Sequence, residues 1–172
     1  MDFLIRGLRE EDDIADITAM IHRAYAPLAE RNLRFTATHQ TPDVTRERFS
    51  TGKPLIAECE GRVVGTATVY RPDPASGVPL YREPGICHFG QFGVDPEFKG
   101  RGIGKALHEE IIAFARKEGA CGMSLDTAAP AADLIAMYQR WGYEIVDRTK
   151  FSTVNYESVI MCLRWGLRNE DS

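Results

Sequence analysis

A chain of 172 residues, 44% hydrophobic and 27% charged, is long enough for a proper core and has the make-up of a globular domain rather than a disordered or fibrous one. Its net charge of -4 and pI of 5.6 supply no broad basic footprint, so nucleic acid is not an expected partner. The cysteines Cys59, Cys87, Cys121 and Cys162 form no C-x-x-C pair and the histidines His22, His39, His88 and His108 are scattered, so no metal is expected; each cysteine lies in or beside an apolar run, as a buried free thiol does.

Residues 3–8 read as a first strand. Acidic residues in 9–13 suit a helix start, and Ile14, Ile17, Ile21 and Tyr25 then recur at spacings of three or four, one apolar helical face. Pro27 breaks or restarts that helix, and residues 28–40 carry no clear pattern. Thr41-Pro42-Asp43 opens a short capped helix that reaches Phe49. Residues 54–59 and 62–70, joined by Glu60-Gly61, form a β-hairpin, and residues 71–85, rich in proline and glycine, read as a loop. Residues 86–94 are the next strand, within which Gly90 and Gly93 point to a bulge or a close backbone approach. Ile103, Leu107, Ile111 and Phe114 define one face of a helix that stops near Gly119. A strand over 122–127, a helix over 131–140 and strands over 143–147 and 158–163 complete an α/β domain with a mixed sheet, expected to span residues 1–172. No charged-then-apolar leader opens the chain and no run approaches membrane-spanning length, so the expected setting is the cytoplasm, without a membrane partner.

The densest chemistry lies between the strand at 86–94 and the helix that follows. In Lys99-Gly100-Arg101-Gly102-Ile103-Gly104-Lys105, glycines let backbone N–H groups approach an anion and the helix start adds a positive dipole end, an arrangement that holds a pyrophosphate. Lys99, Arg101 and Lys105 share the loop. Cations oppose the dipole at a helix start, so three of them there indicate a bound anion rather than a solvated charge cluster. Two nucleotide loops fail on spacing. A P-loop would need its first glycine at Lys99 and its magnesium-holding hydroxyl at Ala106, and a dinucleotide fingerprint would need its third glycine at Lys105.

With Lys99 at its head, the spacing x-x-Gly102-x-Gly104 resembles the acyl-CoA loop of the GNAT superfamily of N-acetyltransferases, Gln/Arg-x-x-Gly-x-Gly/Ala; the lysine keeps the charge and loses the planar fork. Met123-Ser124-Leu125-Asp126-Thr127 follows. Then comes Leu134-Ile135-Ala136-Met137-Tyr138-Gln139-Arg140-Trp141-Gly142-Tyr143, similar to that family's helix motif ending in Tyr-x-x-Gly-Phe/Tyr. The resemblance covers nearly the whole chain and is weakest over 26–50. It implies an α/β GNAT (acyl-CoA N-acyltransferase) fold, whose mixed, mostly antiparallel sheet is splayed between the fourth and fifth strands, with helices on both faces. It implies an enzyme that moves an acetyl group from acetyl-CoA, the acyl-donor cosubstrate, to a primary amine of a small molecule or peptide by direct attack in a ternary complex. The alternative is a non-catalytic acyl-CoA-binding sensor or interaction module on the same fold. Homodimers are frequent in the family, and the acidic net charge favours cationic amines through steering.

Carried over residue by residue, the resemblance assigns backbone groups at Phe92, Gly93 and Val94 to the pantetheine and the thioester oxygen, with Val94 at the matching position. It assigns Lys99, Gly100, Arg101, Gly102, Ile103, Gly104 and Lys105 to the pyrophosphate. Tyr138 matches the tyrosine that serves several members as general acid; a phenol is protonated at neutral pH and can donate to a thiolate. Leu134, Tyr138 and Trp141 also share a helical stripe that suits an ordinary core aromatic. His88, six residues before Val94, resembles the position of the base in serotonin and histone acetyltransferases, and a structural hydrogen bond is its other reading. The family's helix motif often begins with an asparagine seven residues before the tyrosine; Ala131 stands there, which leaves Asp133 or the stretch at Asp126-Thr127 to meet the pantetheine. The acceptor side is expected where Tyr25, Glu30, Arg34, Phe35 and Gln40 crowd together, with Gln91 of the bulged strand; buried anchors of a surface connector are the alternative there.

Overall fold

The computed structural model describes residues 2–166; Met1 and residues 167–172 of the expected domain lie outside the described residues. The chain forms β1 (Leu4–Gly7), α1 (Ile14–Glu30), α2 (Pro42–Ser50), β2 (Lys53–Cys59), β3 (Arg62–Tyr70), α3 (Pro79–Arg82), β4 (Ile86–Val94), α4 (Ile103–Lys117), β5 (Gly122–Ala128), α5 (Ala132–Arg140), β6 (Glu144–Thr149) and β7 (Ser158–Arg164). One seven-stranded sheet has the order β1-β2-β3-β4-β5-β7-β6. Only β4 and β5 run parallel, and every other neighbouring pair is antiparallel. Among the described residues no helix is long and apolar enough to cross a membrane.

Local chemistry explains the element ends. Asp13 caps α1 by accepting from the Ala15 and Asp16 N–H groups, and Thr41 caps α2 by accepting from Val44 N–H at 3.3 Å, with Pro42 in the first turn. The β2–β3 hairpin turns on Glu60 and Gly61, both at positive φ (50° and 76°), the pair of left-handed residues that a tight hairpin requires. Two expectations change. Pro27 does not break α1, which runs on to Glu30; the missing N–H falls near the helix end, and buried Leu28 anchors the last turn. The stretch 71–85 is not all loop, because Pro79–Arg82 makes one helical turn that buries Tyr81.

The alternation of the strands divides the core. Leu55, Ala57, Ala67, Val69, Cys87 and Phe89 face Leu107 and Ile111 of α4, while Ile56 on the opposite face packs against Ile17 and Ile21 of α1 and Phe49 of α2. Helices therefore cover both faces, as the resemblance implies. Cys59, Cys87 and Cys162 are buried free thiols and Cys121 is half-buried.

The fourth and fifth strands part company early. Their register holds only at Ile86↔Gly122, Cys87↔Met123 and His88↔Ser124, so Phe89 to Val94 have no β5 partner. On its other side β4 pairs with β3 through a bulge, Thr66 opposing Gly93 and Thr68 opposing Gly90. The left-handed residue of the bulge is Gln91 (φ 49°), not either glycine. The glycines serve close approach instead: a Cβ on Gly93 would lie 2.9 Å from Ala24 Cβ and 3.3 Å from Tyr25 Cε2. Gly93→Ala should therefore force α1 away from the bulge and cost about 1–3 kcal/mol in chemical denaturation, the usual effect of overpacking. Gly77→Ala, with nothing within 4 Å of its Cβ, should stay within about 0.5 kcal/mol.

Candidate active site

The parting of β4 from β5 opens a cavity of about 680 Å³. Its outer end is the start of α4. Gly100 and Gly102 take φ of 77° and 82°, and a Cβ at either would meet nothing within 4 Å, so the loop presents bare backbone to open space. Gly102 caps α4 without any side-chain hydrogen bond, and the first intrahelical bond is Ala106 N–H to Gly102 C=O; the N–H groups of Ile103, Gly104 and Lys105 thus point out of the helix end unmet by a cap. Lys99 and Lys105 line the cavity here, and the Arg101 guanidinium lies 4.9 Å from the Phe98 ring centre, outside the lining. Lys105 Nζ is 4.0 Å from Glu109, an exposed helical pair. The loop is anchored from α1, where Arg23 pairs at 2.9 Å with Asp95, whose buried carboxylate also caps the turn at Glu97 N–H. No sequence signal marked that anchor, since Arg23 reads as one more exposed helical charge.

The bulged stretch forms one wall. Phe92, Gly93 and Val94 line the cavity along the edge that β5 leaves unpaired. Tyr25 lies against this wall, its hydroxyl donating to the Phe92 carbonyl at 2.8 Å; burial pushes its pKa up to about 12. Gln91 borders the cavity, but its side chain belongs to a buried network. Gln40 Nε2 donates to Gln91 Oε1 at 2.6 Å and to Thr45 Oγ1 at 2.7 Å, Thr18 Oγ1 donates to Thr45 Oγ1 at 2.7 Å, and Thr66 Oγ1 donates to the Gln91 carbonyl at 2.6 Å. Gln91 and Gln40 therefore hold the bulge in shape.

Tyr138 sits deep on the wall opposite. Its ring packs at centroid distances of 5.7 Å from Trp141, 5.9 Å from Tyr143 and 6.1 Å from Phe89. Burial raises its pKa well above the ordinary phenol value, with nearby Tyr25 and Asp126 adding to the rise, so the hydroxyl stays protonated. The inner end is an aromatic chamber, with Phe35 at 5.6 Å from Tyr25 and 4.9 Å from Tyr156. Glu30 and Arg34 do not join it.

Among the described residues, the carboxylates of Asp126 and Asp133 line the cavity. Asp133, on the first turn of α5, pairs with Arg31 at 2.9 Å and ties the end of α1 to α5. Asp126 lines the cavity from β5, and the Tyr81 hydroxyl donates to its Oδ2 at 2.7 Å. Its carboxylate opens to the cavity while protein surrounds it on other sides. Burial raises its pKa, against the pull of the Tyr81 hydrogen bond and the nearby Arg48 charge.

His88 is not brought to the cavity. Its ring is stacked between Tyr81, at 4.1 Å and 4°, and Tyr70, at 5.0 Å and 18°, and it is absent from the lining. Burial pushes its pKa down to about 4, against a weaker upward pull from Asp73, and Nδ1 is buried without a hydrogen-bond partner. Arg48, Tyr81, Phe151 and Tyr156 escaped the sequence reading. Arg48 lies in the short helix that ends near Phe49, where no local pattern marks one cation among several, and Tyr81 lies in the stretch 71–85 that reads as loop; two aromatics in the polar segment 150–157 are the available signal for the other two. Among the described residues, no group of three or more His, Cys, Asp or Glu side chains is placed to hold a metal ion.

The chain matches the acetyltransferase (GNAT) family model over residues 20–143. It is 31% identical over 140 residues to the S-(2-succino)cysteine N-acetyltransferase of Bacillus subtilis, which covers 79% of this chain and 81% of that one. The structure of the ribosomal-protein-S18-alanine N-acetyltransferase from Escherichia coli superposes with a TM-score of 0.73 at 19% identity, over 99% of each chain. A GNAT family acetyltransferase from Elizabethkingia anophelis with acetyl-CoA bound superposes with a TM-score of 0.67 at 12% identity, over 94% of this chain and 97% of the other, and these two share the fold. The chain belongs to the acetyltransferase (GNAT) family and is an acetyl-CoA-dependent N-acetyltransferase.

Proposed function

We propose that the protein, acting as one domain, moves the acetyl group of acetyl-CoA onto the primary amine of a small acceptor by direct attack in a ternary complex. The observation that carries this reading is the continuity of the cavity: the bare helix start, the unpaired edge of β4 and the aromatic chamber share one space, so donor and acceptor can lie side by side. The relatives named above act on a cysteine derivative and on a protein alanine. The half-buried walls of Tyr25, Phe35 and Tyr156 support a small acceptor here.

The residues fit coenzyme A. The uncapped N–H groups at Ile103, Gly104 and Lys105, with space at Gly100 and Gly102 that a Cβ would narrow, suit a pyrophosphate, and Lys99 and Lys105 add positive charge. The free edge of β4 suits the amides of a pantetheine arm laid along it as an extra strand. Acetyl-CoA, when bound, supplies the activated thioester. N–H groups at Phe92 to Val94 stabilise the oxyanion, the role the resemblance gives Val94. Asp126 takes the proton that the attacking ammonium must lose. As the C–N bond forms and the C–S bond breaks, Tyr138 protonates the departing sulfur. His88 has no part in this route.

Gly102→Glu places a carboxylate in the anion cradle; acetyl-CoA affinity by titration calorimetry should fall about tenfold or more, while circular dichroism stays native. Unchanged affinity would remove the loop as the pyrophosphate site. Tyr138→Phe keeps the packed ring and should lower kcat by about 100-fold or more with the KM for acetyl-CoA near the parent value. An unaltered kcat takes the acid role from Tyr138. Because Asp126 works as a carboxylate and its pKa is raised, kcat/KM for the amine should fall as pH drops through a value above the ordinary carboxylate range. Asp126→Asn should remove that acidic limb, and His88→Gln should leave it in place; the reverse pattern in the pH–rate profiles would exchange their roles.

A further inference from the structure

Among the described residues, four cations line the cavity: Arg31, Arg48, Lys99 and Lys105. Arg31 is neutralised by Asp133, and the two lysines belong to the cradle at the outer end. Arg48 is different. Its Nη1 donates to Gln40 Oε1 at 2.7 Å, the Tyr70 hydroxyl lies beside it, and Nη2 rests over Gly90, 3.3 Å from where a Cβ on that residue would stand. None of these neighbours is an acid, and among the described residues Arg48 makes no ion pair. A guanidinium has five N–H donors in a planar fork that matches a carboxylate, and Gln40 takes only one of them. Gln40 is itself held by Gln91 and Thr45, so the fork is pre-oriented by the same network that shapes the bulge.

The placement of Arg48 relative to Asp126 narrows what could satisfy it. The last β4–β5 pair is His88↔Ser124. Gly90, under Arg48, and Asp126 each lie two residues beyond that pair, on the face where Tyr81 touches both His88 and Asp126. Cation and carboxylate thus flank the opening gap at the same height, near enough for the Arg48 charge to act on Asp126, yet without an ion pair. A cavity that offers, side by side, a cation with no acidic partner and a carboxylate with no basic one is the complement of a zwitterion.

We propose that the acceptor is an α-amino acid, or a derivative that keeps a free carboxylate beside its primary amine, with Arg48 gripping the carboxylate, Asp126 facing the ammonium, and Tyr25, Phe35 and Tyr156 receiving the side chain. The assignment rests on the acetyl-transfer reading for the fate of the amine, though not for binding. It reverses the lean towards cationic amines drawn from the net charge, because at this depth the local guanidinium outweighs the distant surface field.

The test compares matched amines with and without the carboxylate: L-phenylalanine with phenethylamine, L-methionine with 3-(methylthio)propylamine, and L-leucine with isoamylamine. Thiol release from acetyl-CoA and melting-temperature shifts in the presence of coenzyme A are read for the parent protein, Arg48→Met and Arg48→Lys. The parent should prefer the carboxylated member of at least one pair by about 100-fold or more in kcat/KM, as a site built for a charged group does. Arg48→Met should remove most of that preference with the KM for acetyl-CoA unchanged, and Arg48→Lys should restore part of it. Equal turnover of both members, or an equal loss for both in Arg48→Met, overturns the assignment while leaving acetyl transfer intact. Stabilisation by the amino acids in the parent but not in Arg48→Met, without thiol release from any amine, upholds the Arg48 assignment and overturns the transfer reading. The absence of both turnover and stabilisation with the amino acids overturns the assignment.

Discussion

The structure depends on one interrupted contact, the loss of pairing between β4 and β5 after His88 and Ser124. A parallel pair of strands in the middle of a sheet would normally run its full length, since every unpaired backbone group left in the interior is costly. Here Gln91 takes a left-handed conformation that costs a non-glycine residue about 1–2 kcal/mol. Hydrogen bonds from Thr66 to its carbonyl and from Gln40 to its side chain, each worth about 1 kcal/mol, offset that strain. The bulge turns the end of β4 away from β5, and the edge so exposed becomes the wall of the cavity. The same network reaches Arg48 through Gln40, so the geometry of the strand and the placement of a cavity charge are set together.

The cavity has two electrical characters. At its mouth, backbone N–H groups and two lysines meet solvent, where an anion can arrive already hydrated. Inside, phenols and a carboxylate sit among apolar side chains, where the cost of a charged form rises. That contrast keeps Tyr138 protonated, and the protein around Asp126, whose side chain is open to the cavity, moves its pKa up. The same desolvation lowers the pKa of His88, whose ring is stacked between Tyr70 and Tyr81, and Tyr81 in turn reaches Asp126.

Much of this was legible in the chain. Every strand was located to within a few residues because period-2 and period-3.6 patterns, caps and turn residues act locally. The glycine-rich helix start at residues 99–105 was legible for the same reason, since the left-handed turns at Gly100 and Gly102 follow from local backbone freedom. Three features were not. Pro27 looked like a break, but a helix tolerates the lost hydrogen bond when the turn beyond it is anchored by a buried leucine. Residues 79–82 looked like loop, because one helical turn is too short to carry a periodic pattern, yet that turn delivers Tyr81. The third is the tie of the Gln91 amide to Gln40, a partner 51 residues away.

What the sequence by itself determined were the elements, their order, the glycine-rich helix start and the tyrosine of α5, all consequences of interactions between near neighbours in the chain. What only the tertiary structure decided was which polar groups face the cavity. His88 and Arg48 show the difference. Both are cationic-type residues in well-predicted elements, but the stacking of Tyr70 and Tyr81 closes off the first, and the lack of a side chain on Gly90 leaves room beside the second. Those outcomes depend on residues brought together from distant parts of the chain, and no local pattern encodes them.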